Sequence, residues 1–395
     1  MKVYFSVIGI GLGHISRCLS VAKHLRSNGV ECVFSSYGKA ACLARKNGFK
    51  TYESNKIMWH QNSNGQIDFE MTLLKSPIIF RGMVKHFRHE YNKVRKEDPD
   101  LVISDSRYSI IPATGDLDIP RLYITNQPKI LMPHKNNGQK RFLHYLEEWG
   151  SNFNYKLLSG QDKILLPDFP LPHSISERHM RFNGAPEKFT DKTEFVGPIA
   201  PHRPNGASNE RIKEVCNKYG VEPGKFIYIA FSGPGEVKEE IHDAIYHLFP
   251  DFDETVLMGT GKPGDFKIHN KGNLRLVDGW IEEREELMEG ADIVISRAGL
   301  CTLSEIAAFG QKAVVIPQPN QPEQESNASG VEKLGFARKL EPEDTSKKTL
   351  ERAIDEVRNS PDVSKAAKKW KKRAEKWKGE EKIADIAMNY LNGHS

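Results

Sequence analysis

The residues best suited to chemistry lie in segment 296–305, Ser-Arg-Ala-Gly-Leu-Cys-Thr-Leu-Ser-Glu. An apolar run at 291–295 precedes this segment, and the pattern predicts a short helix that runs to Phe309 and is closed by Gly310. The N-terminus of such a helix directs backbone N–H groups towards an anion such as a diphosphate. Glu305 lies one turn inside, where its carboxylate would accept hydrogen bonds from a pair of sugar hydroxyls. Together these features predict a site for a nucleotide sugar.

A purely structural role for the same residues stays open. The spacing Thr302-x-x-Glu305 also fits a capping box, in which Glu305 only satisfies backbone donors. On those four residues alone the cap is the simpler interpretation, so the choice depends on the rest of the chain.

A second candidate centre pairs His14 with Asp105. His14 follows the glycines of segment 9–13, where a predicted strand gives way to a helix, and a neutral imidazole there would serve as a general base. Asp105 lies just beyond the predicted strand 101–103, at the same carboxyl edge of a parallel sheet, and would orient the imidazole. The alternatives are a histidine that hydrogen-bonds its own loop and an aspartate that caps the following helix.

Three further polar segments carry weaker signals. Residues 232–235, Ser-Gly-Pro-Gly, close a predicted strand at 226–231, and their backbone amides would bind phosphate oxygens or form an ordinary turn. Residues 318–327 are rich in amides and acids, which suits a hydroxyl-rich ligand or a polar loop. The Asp-x-Asp triplets at 116–118 and 251–253 lack a further ligand, so no metal is expected.

The predicted elements form two α/β series. Strand 3–8, a glycine turn, a helix ending at Gly29 and strand 31–35 are typical of the start of a doubly wound domain. A dinucleotide-dehydrogenase interpretation fits poorly, because the spacing is not G-x-G-x-x-G and Ser35-Ser36 stands where an acid should bind the ribose. The stretch 167–209, rich in Pro, Gly and charge, is predicted to end the first domain and link it to the second.

The overall composition is that of an ordinary soluble protein. With 395 residues, 38% hydrophobic and 28% charged, the chain is long enough for two domains with full cores. A net charge of +5 is too small to indicate nucleic acid, but it is compatible with anionic substrates or membrane surfaces. Five cysteines without a C-x-x-C motif and an apolar start too short for a signal peptide predict a cytoplasmic protein that could lie against a membrane.

Taken together, these segments resemble the GT-B glycosyltransferases, most closely the MurG-like, glycosyltransferase family 28-like group. Residues 11–17, Gly-Leu-Gly-His-Ile-Ser-Arg, are similar to the family's glycine loop. Residues 278–337 are similar to its donor half, through Asp-Gly-Trp-Ile at 278–281, the run 291–299 and Ser-Glu-Ile-Ala at 304–307. The resemblance implies two Rossmann-like doubly wound parallel-sheet domains facing a central cleft.

The implied domains are an acceptor-side domain at 1–200, a donor domain at 201–368, and C-terminal helices at 369–395 that return to the first domain. By position, Ile281 would contact the nucleobase, Glu305 the ribose hydroxyls and Gln324 the donor sugar. The residues implied to line the diphosphate, or counted with the donor site, are Gly13, Ser232, Gly233, Arg297, Ala298, Gly299, Leu300, Cys301 and Thr302. Pro234 interrupts the match between residues 232–233 and the family's Gly-Gly-Ser loop.

The resemblance also implies a mechanism. The pair His14 and Asp105 is similar to the histidine–aspartate dyad of plant-type sugar transferases, so His14 would deprotonate an acceptor hydroxyl that attacks the anomeric carbon with inversion. Helix N-termini and loop amides would stabilise the departing diphosphate without a metal. The expected donor is a UDP-sugar acting as co-substrate, and no cofactor is expected.

The acceptor and two rival functions stay open. Residues 80–96 and 365–378 are basic and amphipathic, which favours a lipid-linked acceptor at an anionic membrane, or else ordinary surface helices that pack through one apolar face. Segment 11–19 also resembles the loop of UDP-sugar hydrolases of nonulosonate synthesis, in which the histidine activates water. A third alternative is a sugar-nucleotide-binding subunit without activity of its own.

Overall fold

The computed structural model of this chain describes residues 1–55, 76–132, 140–230, 246–260, 266–279 and 281–393. The chain divides into two compact units. The first unit comprises Met1–Leu171, Arg178–Ile199 and Lys378–Ser395, and the second comprises Pro172–Glu177 and Ala200–Trp377.

The first unit contains a seven-stranded parallel sheet with the strand order β3-β2-β1-β4-β5-β6-β7. Its strands are β1 (Lys2–Val7), β2 (Glu31–Ser36), β3 (Lys50–Glu53), β4 (Leu101–Asp105), β5 (Arg121–Ile124), β6 (Lys163–Leu166) and β7 (Thr193–Phe195). Its helices are α1 (Gly13–Ser27), α2 (Gly38–Lys46), α3 (Ser76–Glu97), α4 (Ile110–Ala113), α5 (Lys140–Leu158), α6 (Glu177–Met180) at the unit boundary, α7 (Glu187–Thr190) and α14 (Gly379–Leu391).

Helices cover both faces of this sheet, so its strands are apolar runs with little polar alternation. Val3 and Phe5 point into a core shared with α1 and with Ile383 of α14. Tyr4, on the opposite face of β1, packs in a second core with Val94 of α3. The last helix of the chain is therefore part of the first unit.

The second unit contains a sheet with the order β10-β11-β9-β8-β12-β13-β14, in which only the β10–β11 pair is antiparallel among the described pairs. Its strands are β8 (Phe226–Ala230), β9 (Thr255–Gly259), β10 (Lys267–Lys271), β11 (Leu274–Asp278), β12 (Ile293–Ser296), β13 (Ala313–Val315) and β14 (Ala337–Lys339). Its helices are α8 (Asn209–Lys218), α9 (Arg284–Gly290), α10 (Leu300–Phe309), α11 (Pro322–Leu334), α12 (Lys347–Asn359) and α13 (Pro361–Lys376). Within the described part of the chain, no helix is both long and apolar enough to traverse a bilayer.

The predicted fold class, two doubly wound α/β domains with mostly parallel sheets, is confirmed. The chain re-enters the first unit at Lys378 rather than at residue 369. The reason is Trp370, which is 1% exposed and donates its indole N–H to the carbonyl of Leu334 at 2.9 Å, so that α13 stays on the second unit. Trp370 is therefore a core residue and is unavailable to a membrane.

The stretch 167–209 is more than the predicted linker. It includes β7, which pairs in parallel with β6 at the edge of the first sheet, and the segment Pro172–Glu177, which belongs to the second unit. Strand β7 could not be predicted from the sequence, because it has only three residues and lies in a segment rich in Pro and Gly.

Each sheet has one switch point, where the strand order reverses and ligands bind beyond the carboxyl ends of the strands. In the first unit it lies between β1 and β4, where Val7 pairs with Asp105. In the second unit it lies between β8 and β12, where Ala230 pairs with Ser296. The pair His14 and Asp105 therefore lies at the switch point of the first sheet, and segment 296–305 lies at that of the second.

Candidate active site

The structure brings His14 and Asp105 together at the switch point of the first unit. His14 is the second residue of α1 and Asp105 is the last residue of β4. Nδ1 of His14 lies 2.8 Å from Oδ1 of Asp105, and the imidazole is 23% exposed while the carboxylate is fully buried. The pair thus joins an accessible ring to a buried anion.

Arg17 is the third member of this centre. Its Nε donates to Oδ2 of Asp105, and its Nη2 donates to Oδ1 at 2.5 Å. Nη2 also lies 3.0 Å from Nδ1 of His14. Because Nδ1 faces the carboxylate at 2.8 Å, the favourable tautomer carries its proton on Nδ1, so that Asp105 accepts from both side chains. Nε2 is then the basic nitrogen of the ring.

The surroundings keep Asp105 ionised. Burial acts to raise the pKa of this carboxyl, but the charges of Arg17 and His14 and the hydrogen bonds from both lower it below its ordinary value. The thiol of Cys18 adds a further donor 3.4 Å from Oδ2. The alternative that Asp105 caps the next helix is wrong, because α4 begins at Ile110 after Ser109.

The loop that follows Asp105 is held from two sides. Ser106 adopts a φ of +52°, an uncommon value for a residue with a side chain. Arg107, which is buried, pairs with Glu90 of α3 at 2.9 Å. The hydroxyl of Tyr108 donates to Asn154 of α5 at 3.0 Å. Helices α3 and α5 therefore fix the loop that follows the carboxylate of Asp105.

The glycine loop before α1 owes its shape to close backbone contact. A Cβ atom on Gly9 would lie 2.5 Å from the ring of Tyr37, so only glycine fits there. Gly11 has a φ of +68°, which disfavours other residues. Gly13 is the first residue of α1, immediately before His14. Its part in donor binding stays a prediction.

In the second unit, α10 begins where the sequence predicts a diphosphate site. Gly299 is its N-cap and offers no capping side chain, and Leu300, Cys301 and Thr302 form its first turn. The helix ends at Phe309, and Gly310 adopts a φ of +71°, as predicted. The capping-box alternative is wrong, because Thr302 lies inside the helix rather than at its N-cap.

Buried hydrogen bonds fix the turn that leads into α10. The amide of Asn327, which is fully buried, donates to the carbonyl of Ala298 at 2.8 Å, and the hydroxyl of Ser176 donates to Asn327. The hydroxyl of Ser296 donates to the carbonyl of Arg297 at 2.6 Å, and Arg297 itself is 2% exposed. The backbone in front of α10 is therefore preorganised.

Glu305 forms an ion pair with Arg284 of α9. Nη2 of Arg284 lies 2.6 Å from Oε2, and the two side chains are 23% and 4% exposed respectively. Burial acts to lower the pKa of Arg284, but the charge of Glu305 raises it above its ordinary value. Among the described residues no hydrogen bond reaches Oε1 of Glu305, so this oxygen keeps its capacity to accept one.

The other predicted donor residues have mixed placements. Gln324 accepts a hydrogen bond from the backbone N–H of Gln318 at 2.8 Å through its Oε1. The side chain of Ile281 packs against Gly259, where a Cβ atom would lie 2.9 Å away. Ser232 and Gly233 lie outside the described residues.

Sequence reasoning missed the partners that orient these groups. Arg17 lies three residues after His14, a spacing that places both on one face of α1 and could have revealed it. Arg284 and Asn327 had no such signal, because only the tertiary structure brings them to Glu305 and to Ala298.

Comparisons with known proteins show that this chain is similar to glycosyltransferases. Residues 240–385 match the family described as Glycosyltransferase family 28 C-terminal domain. An uncharacterized glycosyltransferase of Methanosarcina acetivorans is 27% identical over 346 residues, which cover 86% of this chain and 84% of the relative. UDP-N-acetylglucosamine--N-acetylmuramyl-(pentapeptide) pyrophosphoryl-undecaprenol N-acetylglucosamine transferase of a Sulfurihydrogenibium species is 24% identical over 393 residues, which cover 98% of both chains.

Among solved structures, the glycotransferase of kitacinnamycin superposes with a TM-score of 0.69 at 16% identity, over 99% of both chains. The fold and the relatives together define this protein as a GT-B glycosyltransferase. Within that class it is similar to the MurG-like, glycosyltransferase family 28-like group.

Proposed function

We propose that this protein transfers a sugar from a UDP-sugar to a hydroxyl of a lipid-linked acceptor, with inversion at the anomeric carbon and without a metal. The observation that carries the proposal is the contact between His14 and Asp105, at 2.8 Å, on the carboxyl edge of the first sheet. It supports a ring whose Nε2 is a base and whose Nδ1–H is held by a buried carboxylate.

The chemical step follows from that tautomer. Nε2 of His14 takes the proton of the acceptor hydroxyl as its oxygen attacks the anomeric carbon on the face opposite the diphosphate. The bond between that carbon and the diphosphate oxygen breaks, and the nucleoside diphosphate leaves with the electron pair. Asp105 stabilises the imidazolium, which later gives its proton to solvent.

The donor would bind to the second unit. The first turn of α10 offers backbone N–H groups and the positive end of the helix dipole to the diphosphate, which supports metal-independent departure. Glu305 would bind the ribose through Oε1, Ile281 the base through its backbone, and Gln324 the transferred sugar. Ser232 and Gly233 stay predicted phosphate contacts.

Two observations favour a lipid-linked acceptor. The relative that aligns over 98% of this chain is named for transfer to a pyrophosphoryl-undecaprenol substrate. The predicted basic segment 80–96 forms part of α3, where Met83, Lys85 and Arg88 are exposed. The acceptor would then be reached at the surface of an anionic membrane.

The decisive experiment follows product formation from radiolabelled UDP-sugars with detergent-solubilised lipid extract as acceptor, in the presence of EDTA. We expect labelled lipid from one donor, release of UDP in equal amount, and a β-linked product from an α-linked donor by NMR. Retention of the anomeric configuration would refute the mechanism, and dependence on a divalent cation would refute the metal-independent step.

A reaction without acceptor tests the hydrolase alternative. A transferase should release free sugar much more slowly than it forms labelled lipid, because the hydroxyl that His14 activates is supplied by the acceptor. Stoichiometric release of free sugar at full rate without acceptor would instead assign water as the natural nucleophile.

A further inference from the structure

Helix α5 of the first unit exposes four large aromatic side chains on one face. The spacings of three, four and four residues place them in one line along the helix. Trp149 and Phe153 stack with their ring centroids 6.0 Å apart. These four side chains, which we call the aromatic stripe, are Phe142, Tyr145, Trp149 and Phe153, and they are 65%, 64%, 63% and 60% exposed.

The opposite face of α5 is largely polar and buried. Glu147 accepts a hydrogen bond from the backbone N–H of Met132 at 2.7 Å, and the amide of Asn154 donates to the carbonyl of Pro128 at 2.8 Å. Among its described side chains, those that are buried in the apolar core lie near the C-terminal end of the helix, at Tyr155 and Leu158. An amphipathic helix on a soluble domain normally has its apolar face inside. The inverted pattern indicates that another apolar medium covers the outer face.

The size of the aromatic stripe argues against a stable protein interface. Large aromatic side chains bury roughly 150–250 Å² each, so these four expose about 500 Å² at the exposures given above. That area is within the range of the largest apolar patches of monomers, which are often functional. It falls short of the roughly 800 Å² per partner that a stable dimer needs.

The chemistry of the aromatic stripe fits the surface of a phospholipid bilayer. Tyrosine and tryptophan rings prefer the level of the lipid headgroups, and phenylalanine prefers the acyl boundary beneath them. Lys156 is exposed one turn beyond Phe153 on the same face, where an ammonium group would contact lipid phosphates. We infer that the aromatic stripe of α5 is a docking surface for an anionic phospholipid bilayer.

Helix α5 lies next to the loops near the proposed catalytic centre, so docking at α5 would bring that centre close to a bilayer. Its inner face holds Tyr108, in the loop that begins at Asp105, and Pro128, in the loop after β5. Asn126 in that second loop also lies 3.4 Å from Nη2 of Arg17. A bilayer on the outer face would lie about one helix diameter, roughly 10 Å, from the loops that carry the proposed centre. The functional role of this proximity rests on the proposed lipid-linked acceptor, whereas the docking itself does not.

The test is co-sedimentation of the full chain with vesicles of phosphatidylcholine that contain about a third phosphatidylglycerol. We expect the wild type to bind and the double variant Trp149→Ser/Phe153→Ser to lose at least about tenfold in partition coefficient, because two anchoring rings are removed. Phe266→Ser is the matched control, since Phe266 is 45% exposed in the second unit and should leave binding unchanged. Lys156→Gln should weaken binding only to the anionic vesicles.

Further measurements separate this inference from its rivals. The melting temperature of the double variant should stay within about 1 °C of the wild type, since exposed side chains contribute little to stability. Absence of wild-type binding, or unchanged binding by the double variant, overturns the inference. A wild-type dimer that the double variant dissociates also overturns it, because the stripe would then join two copies of the chain.

The proposed function and the docking surface fail separately. The double variant should keep full transfer to an acceptor dissolved in detergent, and His14→Ala should bind vesicles like the wild type. Vesicle binding through the stripe without any sugar transfer would refute the proposed function and leave the docking surface standing. Sugar transfer in detergent by a protein that does not bind vesicles would refute the docking surface and leave the proposed function standing.

Discussion

Arg17 binds both carboxylate oxygens of Asp105 inside the first unit, one with Nε and the other with Nη2. The pair is almost completely buried, with side-chain exposures of 2% and 0%. A buried carboxylate that faced only His14 would depend on that ring for its counter-charge. Arg17 supplies the counter-charge permanently, so Asp105 stays an acceptor for Nδ1–H while His14 is free to change its protonation state.

The Arg17–Asp105 pair should couple strongly in a double-mutant cycle. Arg17→Met or Asp105→Asn alone should each cost about 3–5 kcal/mol, because either change leaves a buried charge without its partner. The double variant should cost clearly less than the sum of the two. Urea unfolding of the four proteins checks this, and simple additivity would contradict the buried pair.

The substitution Arg17→Lys separates the effect of the positive charge on Asp105 from the effect of the two hydrogen bonds that position this carboxylate. Lysine keeps the cation but cannot form the two-pronged contact, so kcat should fall while KM for the donor stays close to that of the wild type. An equal loss from the exposed control Arg26→Lys on the same helix would show that the effect is not specific.

Acid should destabilise the first unit through Asp105. The folded pKa of this carboxyl lies below its unfolded value of about 3.9, so the unfolded chain binds more protons in that window. The stabilisation is therefore present above about pH 4 and is lost as the pH falls towards the folded pKa. Melting curves from pH 6 down to pH 3 should fall more steeply for the wild type than for Asp105→Asn. If the melting temperatures of the two proteins fell equally with pH, Asp105 would not contribute to the pH dependence of stability.

Local patterns predicted the secondary structure near the site well. The predicted strand 3–8 is found as β1, Lys2–Val7, and the helix closed by Gly310 is found as α10. Both have strong local signals, an apolar run between turns and a glycine closing a helix. Strand 101–103 extends to Asp105, because pairing with β1 and β5 continues through residues that look like a loop.

Most contacts between residues distant in sequence could not be predicted from the sequence. The rule that parallel strands end at one edge was enough to expect His14 near Asp105. No local pattern shows that Arg284 of α9 would occupy one oxygen of Glu305, 21 residues away. Nor does any local pattern show that α13 stays on the second unit, since that depends on the packing of buried residues such as Trp370 and Ala374.

Replacing His14 by alanine should abolish transfer and spare donor binding. Loss of a general base costs about 10²–10⁴ in rate, and the proposed donor residues all lie on the second unit except Gly13. His24→Ala, in the last turn of the same helix, is the control. Full activity of His14→Ala would remove the base from the mechanism.

Two substitutions test the role of Glu305 in binding the ribose. One removes the hydrogen-bond acceptor of Arg284 and the other keeps an acceptor oxygen for it. Glu305→Ala deprives a partly buried guanidinium of its partner, so it should lower the melting temperature as well as donor affinity. Glu305→Gln keeps the size of the side chain and one oxygen, so it should cost less stability. Its affinity for UDP should nevertheless fall about tenfold or more, because a neutral amide is a weaker acceptor for ribose hydroxyls than a carboxylate.

The measurement is calorimetric titration with UDP and with its 2′-deoxy analogue. Wild type should prefer UDP, and Glu305→Gln should lose most of that preference. Glu325→Gln, in the first turn of α11, is the control and should bind UDP like the wild type. If Glu305→Gln bound UDP with unchanged affinity and selectivity, the carboxylate would serve only to hold Arg284, and the ribose would have to be bound by other residues.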